Sequence, residues 1–543
     1  MTETQDWTEC ILKDISRTVK RDENIQELVL KTAISANSDD PLNLFVRGPS
    51  SIGKTNAVVR TIVPYFPKSN VWLLGGLSPT ALVHDYGTLI DTRTGLEIDP
   101  EKKPTKENFT TVEGKKKTFN KEACNEALKE WRETLRNSAY LINLRKKIMV
   151  FLEAPHPETF ARLRPILSHD VPEISYKFTD KKLNGLRTVH AILRGFPATI
   201  FCTTEVKHMD ELASRSLQAT PEMSEEKYHD ANKLSGDIAA NPWKYLSKNN
   251  PEIKVIADHI AHVTNASKEI DKVIIPYGEI VGDLLPSKIP SDMRHAKQFL
   301  SLIKQNALLN MFTRPVLVVG ESVNILANLH DLQVTIPLYF KIELSTRLDL
   351  SKHILDFYTN VFAPVESEVM RLDENQLDFN RVTVERLVTK HNQISPNKMS
   401  SASIYVYLKE LKDRAVIDSR TDLKDKRHHV YFSLTKPENN LDSLIKEENS
   451  LFSVIDLEKW LKEVSNYLTK LEVEKILFFP SLNDVKQGTN SINLLDENIN
   501  YTPILVRYLD TEIGEENTFK TETKPNEALI IDSKIKEGLK EVN

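Results

Sequence analysis

The chain has 543 residues, enough for roughly three or four domains of ordinary size. Hydrophobic residues make up 40% and charged residues 27%, a balance that excludes a disordered or membrane-embedded protein, and no apolar run approaches the ~20 residues a bilayer demands. With 72 basic against 77 acidic residues, bulk charge cannot attract nucleic acid, so any such binding has to be local. The segment Met1–Asn24 lacks the basic start and apolar core of a secretory signal, which predicts a cytoplasmic protein without a membrane partner. Cys10, Cys124 and Cys202 are widely separated and odd in number, so they form neither a disulfide framework nor a zinc site.

Residues 1–40 carry Ile11, Ile15, Val19 and then Ile25, Leu28, Val29 and Ala33 at helical spacing, which predicts one or two helices. A first domain follows over 41–224. Leu42–Val46 is a short apolar strand that runs into Gly48-Pro49-Ser50-Ser51-Ile52-Gly53-Lys54-Thr55, and Ala57, Val58 and Ile62 then open a helix. Strand, glycine loop and helix in this order form a phosphate-binding loop. The glycines let successive backbone N–H groups, with the helix N-terminus, wrap phosphate oxygens. Lys54 is expected to pair with the β- and γ-phosphates of ATP or a relative, and the Thr55 hydroxyl to ligate Mg²⁺.

Val71–Leu74, Ile148–Leu152 and Ala198–Cys202 are three further short buried strands separated by helical patterns. Their alternation predicts an α/β fold with a parallel sheet and crossovers. The polar stretch 91–121, with Lys102, Lys103, Lys106 and Lys115–Lys117, reads as a mobile insertion. Strand Ile148–Leu152 ends in Glu153, the candidate principal acid, which would hold the metal or its water shell, or orient the attacking water. After the helix Pro157–Leu167, Ile174, Tyr176 and Phe178 alternate, Asn184-Gly185 marks a turn, and Val189, Ala191 and Leu193 alternate again. This predicts a β-hairpin over 173–194 with Lys181, Lys182 and Arg187 at its tip. The strand Ala198–Cys202 closes on Thr203-Thr204, and a hydroxyl there, at Thr204, can polarise water beside the γ-phosphate. Asp210–Arg215 and a short strand, Ser216–Thr220, complete the domain.

Helical patterns dominate 225–365, including a long amphipathic segment Ser291–Phe312. Within 378–434, a helix from Thr383, a turn at Ser395–Met399 and a second helix, Ser400–Asp413, precede two strands, Ala415–Asp418 and Val430–Leu434. That succession looks like a winged-helix domain. Its second helix would offer Asn397, Lys398, Ser401, Ser403 and Tyr405 to a DNA groove. Its wing would offer Arg420, Lys424, Lys426, Arg427 and His428 to phosphate. Residues 438–543 read as an acidic helical segment, with Leu457, Leu461, Val464 and Leu468 at helical spacing, and a tail without readable chemistry.

The order of phosphate-binding loop, Phe151–Glu158, Leu163–Asp170, inserted hairpin and Phe201–Thr204 resembles the pre-sensor-1 hairpin branch of AAA+ ATPases. Within that branch it is similar to helicase-like ATPases of archaeal, phage and plasmid origin, some of which are fused to primase modules. The resemblance covers about residues 25–315. It implies a P-loop AAA+ parallel sheet with inserted hairpin and helical lid, here followed by the winged helix. Ile148–Glu153 resembles the Walker B element, although the usual Asp-Glu pair is Leu152-Glu153 in this chain. By the same resemblance Thr204 takes the sensor 1 position, Arg215 reaches the ATP of a neighbouring subunit, and Arg294 is the candidate sensor 2 arginine. The expected activity is that of a DNA-dependent ATPase acting in replication as a ring helicase or translocase. Its partners would be DNA, further copies in a homo-hexamer, and a primase or other replication protein. An ATP-switched DNA-binding regulator and a nucleotide-driven assembly factor are the alternatives.

Overall fold

The computed structural model describes residues 6–75, 87–99, 102–113, 116–153, 155–180, 187–204, 210–245, 250–285, 287, 292–348, 350–373, 382–395, 398–421, 428–434, 457–496 and 499. Of the residues singled out above, Lys115, Lys181, Lys182, Asn184, Gly185, Asn397, Lys424, Lys426 and Arg427 lie outside them, as do the side chains of Lys116, Lys117, Phe178, Arg187 and Val189.

In chain order, helices α1 (Trp7–Ile15) and α2 (Glu23–Ser35) lead to β1 (Asn43–Arg47), α3 (Lys54–Ile62) and β2 (Val71–Leu74). Next come β3 (Thr88–Asp91), the hairpin β4 (Thr110–Glu113) and β5 (Lys116–Phe119), α4 (Lys121–Arg136) and β6 (Ser138–Asn143). Strand β7 (Ile148–Phe151), α5 (Pro157–Leu167), β8 (Glu173–Asp180), β9 (Arg187–Arg194), β10 (Ala198–Thr203), α6 (Asp210–Ala213) and β11 (Leu217–Ala219) follow.

The next block holds α7 (Glu225–Ala240), α8 (Pro251–Ala266), β12 (Lys272–Ile274), α9 (Gly278–Leu284) and α10 (Asp292–Leu309). It continues with β13 (Val316–Val319), β14 (Ser322–Leu326) and α11 (Leu329–Leu348). Helices α12 (Lys352–Phe357) and α13 (Ala363–Asp373) flank one π-helical turn, Tyr358–Phe362. Then α14 (Val384–Ile394), α15 (Ser401–Asp413), β15 (Ile417–Thr421) and β16 (His429–Ser433) form a small body. Last are α16 (Leu457–Lys470), β17 (Ile476–Phe479), α17 (Leu482–Gln487) and β18 (Ile492–Asn493).

The central sheet is parallel throughout, in the order β11-β1-β10-β7-β2. Strands β1, β7, β10 and β11 are buried on both faces, and their alternating side chains feed two cores. Leu44, Val46, Ile148, Val150 and Ile200 face one core, shared with α2, α3, α8, α10 and α11. Phe45, Met149, Phe151 and Phe201 face the other, shared with Phe160, Leu163, Ile166 and Leu167 of α5. Across three neighbouring strands Phe45, Phe201 and Phe151 stack with ring centroids 4.5 and 4.7 Å apart. Aromatic pairs of this kind add to burial alone.

The hairpin β8–β9 pairs from Glu173↔Arg194 to Asp180↔Arg187 and joins β6 and β3 in a second sheet ordered β3-β6-β9-β8. Ala191 and Leu193 of β9 and Ile142 of β6 press onto the second core. The stretch expected to be a mobile insertion contains ordered structure: Lys106–Phe109 is a 3-10 turn and β4 pairs with β5. The alternation there is carried by threonines and lysines rather than aliphatic residues, so no apolar pattern marked it.

A five-stranded sheet was not expected from the sequence. The block expected to be helical contains β12, β13 and β14, and the carboxyl-terminal β17 adds to β13, giving a sheet ordered β12-β14-β13-β17-β18. Ile476 and Phe478 are fully buried there. Each of these strands is short, and although β13 and β14 pair locally, β12 and β17 find their partners far away in sequence, so only assembly reveals the sheet.

Among the described residues no helix is long and apolar enough to cross a membrane. Phe478 is fully buried in the first core. Phe478→Ala is therefore expected to destabilise the protein by about 3–5 kcal/mol, read as a lowered denaturant midpoint.

Candidate nucleotide site

The loop Gly48–Gly53 leaves the carboxyl end of β1 and enters α3 at Lys54. Two of its glycines are required by geometry. Gly48 has φ +143°, and a Cβ there would stand 2.5 Å from Ile52 Cδ1. Gly53 caps α3 with φ +90°, where other residues are strained. Ser51 is also left-handed, at φ +68°. The chain thus curls over itself, and the first amides of α3 face the curl without helical partners. Lys54 Nζ folds back and donates to the carbonyls of Gly48 at 2.7 Å and Pro49 at 2.5 Å. Burial draws the Lys54 pKa down from its ordinary value, which marks an ammonium short of anionic company.

The register of the sheet sets the neighbours. Arg47 lies beside Thr203 and Phe201 beside Phe151, so Thr204 follows at the level of Gly48, and Glu153 leaves β7 at the level of Thr203. Strand β10 separates β1 from β7, so Glu153 emerges about 10 Å from the start of the loop. Both Glu153 and Thr204 are exposed at this edge. Such a gap suits a phosphate group, with the loop on one side and the carboxylate on the other.

Thr55 hydrogen-bonds the Cys202 thiol, whose pKa burial pushes up to about 12, so the sulfur stays protonated. One hydroxyl, from Thr55, and one carboxylate, from Glu153, are a small donor set. They fit Mg²⁺, which keeps several waters and takes other ligands from a nucleotide's phosphates. Among the described residues no cluster of three or more His, Cys, Asp or Glu could hold a metal unaided.

Three groups border the loop that sequence patterns did not single out. Arg47, the residue before Gly48, is almost wholly buried and lies 3.5 Å from Glu410 of α15. His353 of α12 is held neutral, its pKa pushed down to about 4 by burial and then by the charges of Arg47 and Lys54. Its ring meets Tyr407 of α15 at 5.3 Å between centroids. Lys227, on the first turn of α7, reaches the Ile52 carbonyl at 3.2 Å. His353 and Lys227 come from elements distant in the chain, as does the Glu410 partner of Arg47, and no local spacing announces them.

Arg215 stands elsewhere. Leu217 is level with Leu44, which places Arg215 level with Leu42 at the amino edge of the sheet, roughly 20 Å from Gly48. Its guanidinium is partly buried and donates to Asp170 Oδ1 at 2.7 Å and to the Ser168 carbonyl at 3.2 Å. Arg294 shares that edge: its Nη1 donates to Ser214 Oγ at 3.2 Å, and Gln298 on the same helix donates to the Arg215 carbonyl at 2.9 Å. The fold thus brings Arg294 to Arg215 and not to Lys54.

On α15, Lys398 just before the helix and Ser401 in its first turn are exposed. The turn ahead of it is clasped by Asn392, whose side-chain amide donates to the Met399 carbonyl and accepts from its N–H. Ile404, Leu408 and Leu411 are buried against α14, Ile417 and Tyr431. The outward face carries Tyr405 and Val406, 51% and 56% exposed, and Lys409.

No family model matches the chain, and no curated protein matches it. Among solved structures, a "putative ATPase" from Cytophaga hutchinsonii aligns over 57% of this chain and 82% of its own, at 8% identity and TM-score 0.29. The Orc1 protein of Aeropyrum pernix, solved in complex with DNA, aligns over 82% of this chain and 97% of its own, at 10% identity and TM-score 0.19.

The contact between Arg47 and Glu410 ties the small body around α15 to the root of the loop. Glu410→Ala is expected to speed hydrogen exchange in α12 and α15 while the amides of β1 and β10 stay protected, measured by mass spectrometry.

Proposed function

We propose that the chain is a nucleoside-triphosphatase of the AAA+ class that hydrolyses ATP with Mg²⁺ and couples it to movement on DNA. The observation that carries the reading is the juxtaposition at one sheet edge of the Gly48–Thr55 loop, Thr204 and Glu153. Ligands of open parallel α/β sheets sit outside the carboxyl ends of the strands, which is where these groups converge.

In this reading the loop amides and Lys54 hold the β- and γ-phosphates, and Thr55 and Glu153 hold Mg²⁺. The bound ion would neutralise charge developing on the phosphate oxygens. Glu153 orients a water for attack on the γ-phosphorus, and the bond to the β–γ bridging oxygen breaks. Thr204 stands beside that water. Arg215 lies too far from its own loop to act there. Its catalytic role would be exercised on the nucleotide of a neighbouring copy, as expected for a ring, of which a homo-hexamer is the reading taken here. Its ion pair with Asp170 would hold the guanidinium until a neighbour docks. Arg294, hydrogen-bonded at the same edge, fits a role at that junction better than one over its own nucleotide.

Movement on DNA would be carried by the β8–β9 hairpin, whose tip bears Lys181, Lys182 and Arg187, by charge contact with the phosphate backbone. The two helices α14 and α15 with the ribbon β15–β16 would act as a winged helix, presenting Lys398 and Ser401 beside Lys426 and Arg427 to duplex DNA. A replicative helicase or translocase, with a primase or other replication protein as partner, is the setting these elements suit. One observation favours a second reading, a nucleotide-driven assembly factor: the outward face of α15 exposes Tyr405 and Val406 beside Lys409 and Lys412, and an exposed aromatic and an aliphatic side chain suit a protein partner.

Steady-state ATPase rates with and without single-stranded and duplex DNA test the proposal. Wild type should be stimulated by DNA, Lys54→Ala should be inactive, and Glu153→Gln should bind ATP without hydrolysing it. Lys181→Ala/Lys182→Ala should keep the basal rate and lose the stimulation. Hydrolysis indifferent to both nucleic acids would move the assignment to the assembly factor.

A further inference from the structure

The tip of the phosphate-binding loop is gripped by a buried ion pair from outside the loop. Lys227 Nζ lies 2.6 Å from Asp22 Oδ2 and donates to Asp22 Oδ1 at 2.8 Å and to the carbonyl oxygen of Ile52 at 3.2 Å. The two side chains are 8% and 2% exposed. Asp22 Oδ1 also accepts from the N–H of Glu222 at 3.0 Å, and Ser224 caps the helix that presents Lys227. The link between α1 and α2, the approach to α7 and the loop therefore meet at one ammonium group.

A buried ion pair is a weak source of stability, because desolvation offsets most of its attraction and an apolar pair of equal volume often does as well. Its third contact distinguishes this one. A trans peptide is planar, with C=O and N–H pointing to opposite sides, and the described chain has no cis peptide. Holding the Ile52 carbonyl towards Lys227 therefore turns the Gly53 N–H the other way, away from the ion pair. Gly53, at φ +90° and without a side chain, imposes little of its own on that peptide's orientation.

We propose that Lys227, steadied by Asp22, is a positioning residue for phosphate binding: it sets the Ile52–Gly53 peptide so that the Gly53 N–H is aimed at a nucleotide phosphate before the nucleotide arrives. The inference rests on the reading of Gly48–Thr55 as a nucleotide-phosphate loop. Lys227 touches no substrate. It acts through the backbone it holds, and so raises affinity for ground and transition states alike.

The test is the dissociation constant of a fluorescent ADP analogue with Mg²⁺, with the ATPase parameters and the unliganded melting temperature measured beside it. Lys227→Met should weaken binding about tenfold or more, the size usual for residues that orient a binding group. KM should rise in step, with kcat at saturation kept. Lys227→Arg should recover most of the loss. The double variant Asp22→Leu/Lys227→Met replaces the pair by apolar groups, removing the buried-charge penalty, and should melt near wild type yet bind as weakly as Lys227→Met. Wild-type affinity in the folded double variant overturns the proposal. Wild type binding no better than Lys54→Ala overturns the nucleotide reading itself, and this inference with it.

Discussion

Because β1 runs parallel to both of its neighbours, every loop that leaves the sheet at the carboxyl ends emerges on one side, and the site is built from that convergence. The strand has no open edge and no solvated face. Its five residues can neither slip in register nor tilt without disturbing two cores, since a one-residue slip would exchange Leu44 and Val46 for Phe45. The stacked rings of Phe45, Phe201 and Phe151 fix the same register across three strands. The glycine loop Gly48–Gly53 is thereby anchored on a strand buried on both faces.

Around that anchor, charges are placed by assembly. Burial and then the charges of Arg47 and Lys54 lower the pKa of His353, so a neutral imidazole stands at the root of the loop, where Arg47 also meets Glu410. Lys227 brings a third cation to the loop's far side, but with Asp22 as counter-charge, so it contributes orientation more than net attraction. Arg215 and Arg294, at the opposite edge, leave the potential at the loop largely unaltered. The separation of roughly 20 Å along β1 keeps two cationic centres apart within one chain, a separation exceeding the Debye length at physiological salt.

The parts of the site legible in the chain are those whose chemistry is local. Gly48 and Gly53 are needed where they stand because two backbone positions there take φ values that other residues resist, and Lys54 and Thr55 follow directly on the helix they open. Glu153 and Thr204 were legible because a strand that ends in a polar residue must release it at the sheet edge. The hairpin β8–β9 was legible for the same reason of short range, with alternation on both sides of an Asn-Gly turn. By contrast β12, β13 and β17 are three- and four-residue strands, β12 paired about 50 residues away with β14 and β13 about 160 residues away with β17, and neither their length nor their composition sets them apart from helix or loop.

The sequence by itself determined that a glycine loop joins β1 to α3, that β7 is followed by Glu153, and where β8 and β9 lie, because each of these depends on dihedral preference and on periodicity within a dozen residues. Only the tertiary structure decided that Lys227 and Asp22 hold the Ile52 carbonyl, that Glu410 and Tyr407 lean on Arg47 and His353, and that Arg294 stands with Arg215. Those contacts join elements tens to hundreds of residues apart. Their existence depends on how sheets and helices stack, and a buried lysine or glutamate has the same local signature in the chain as one in water.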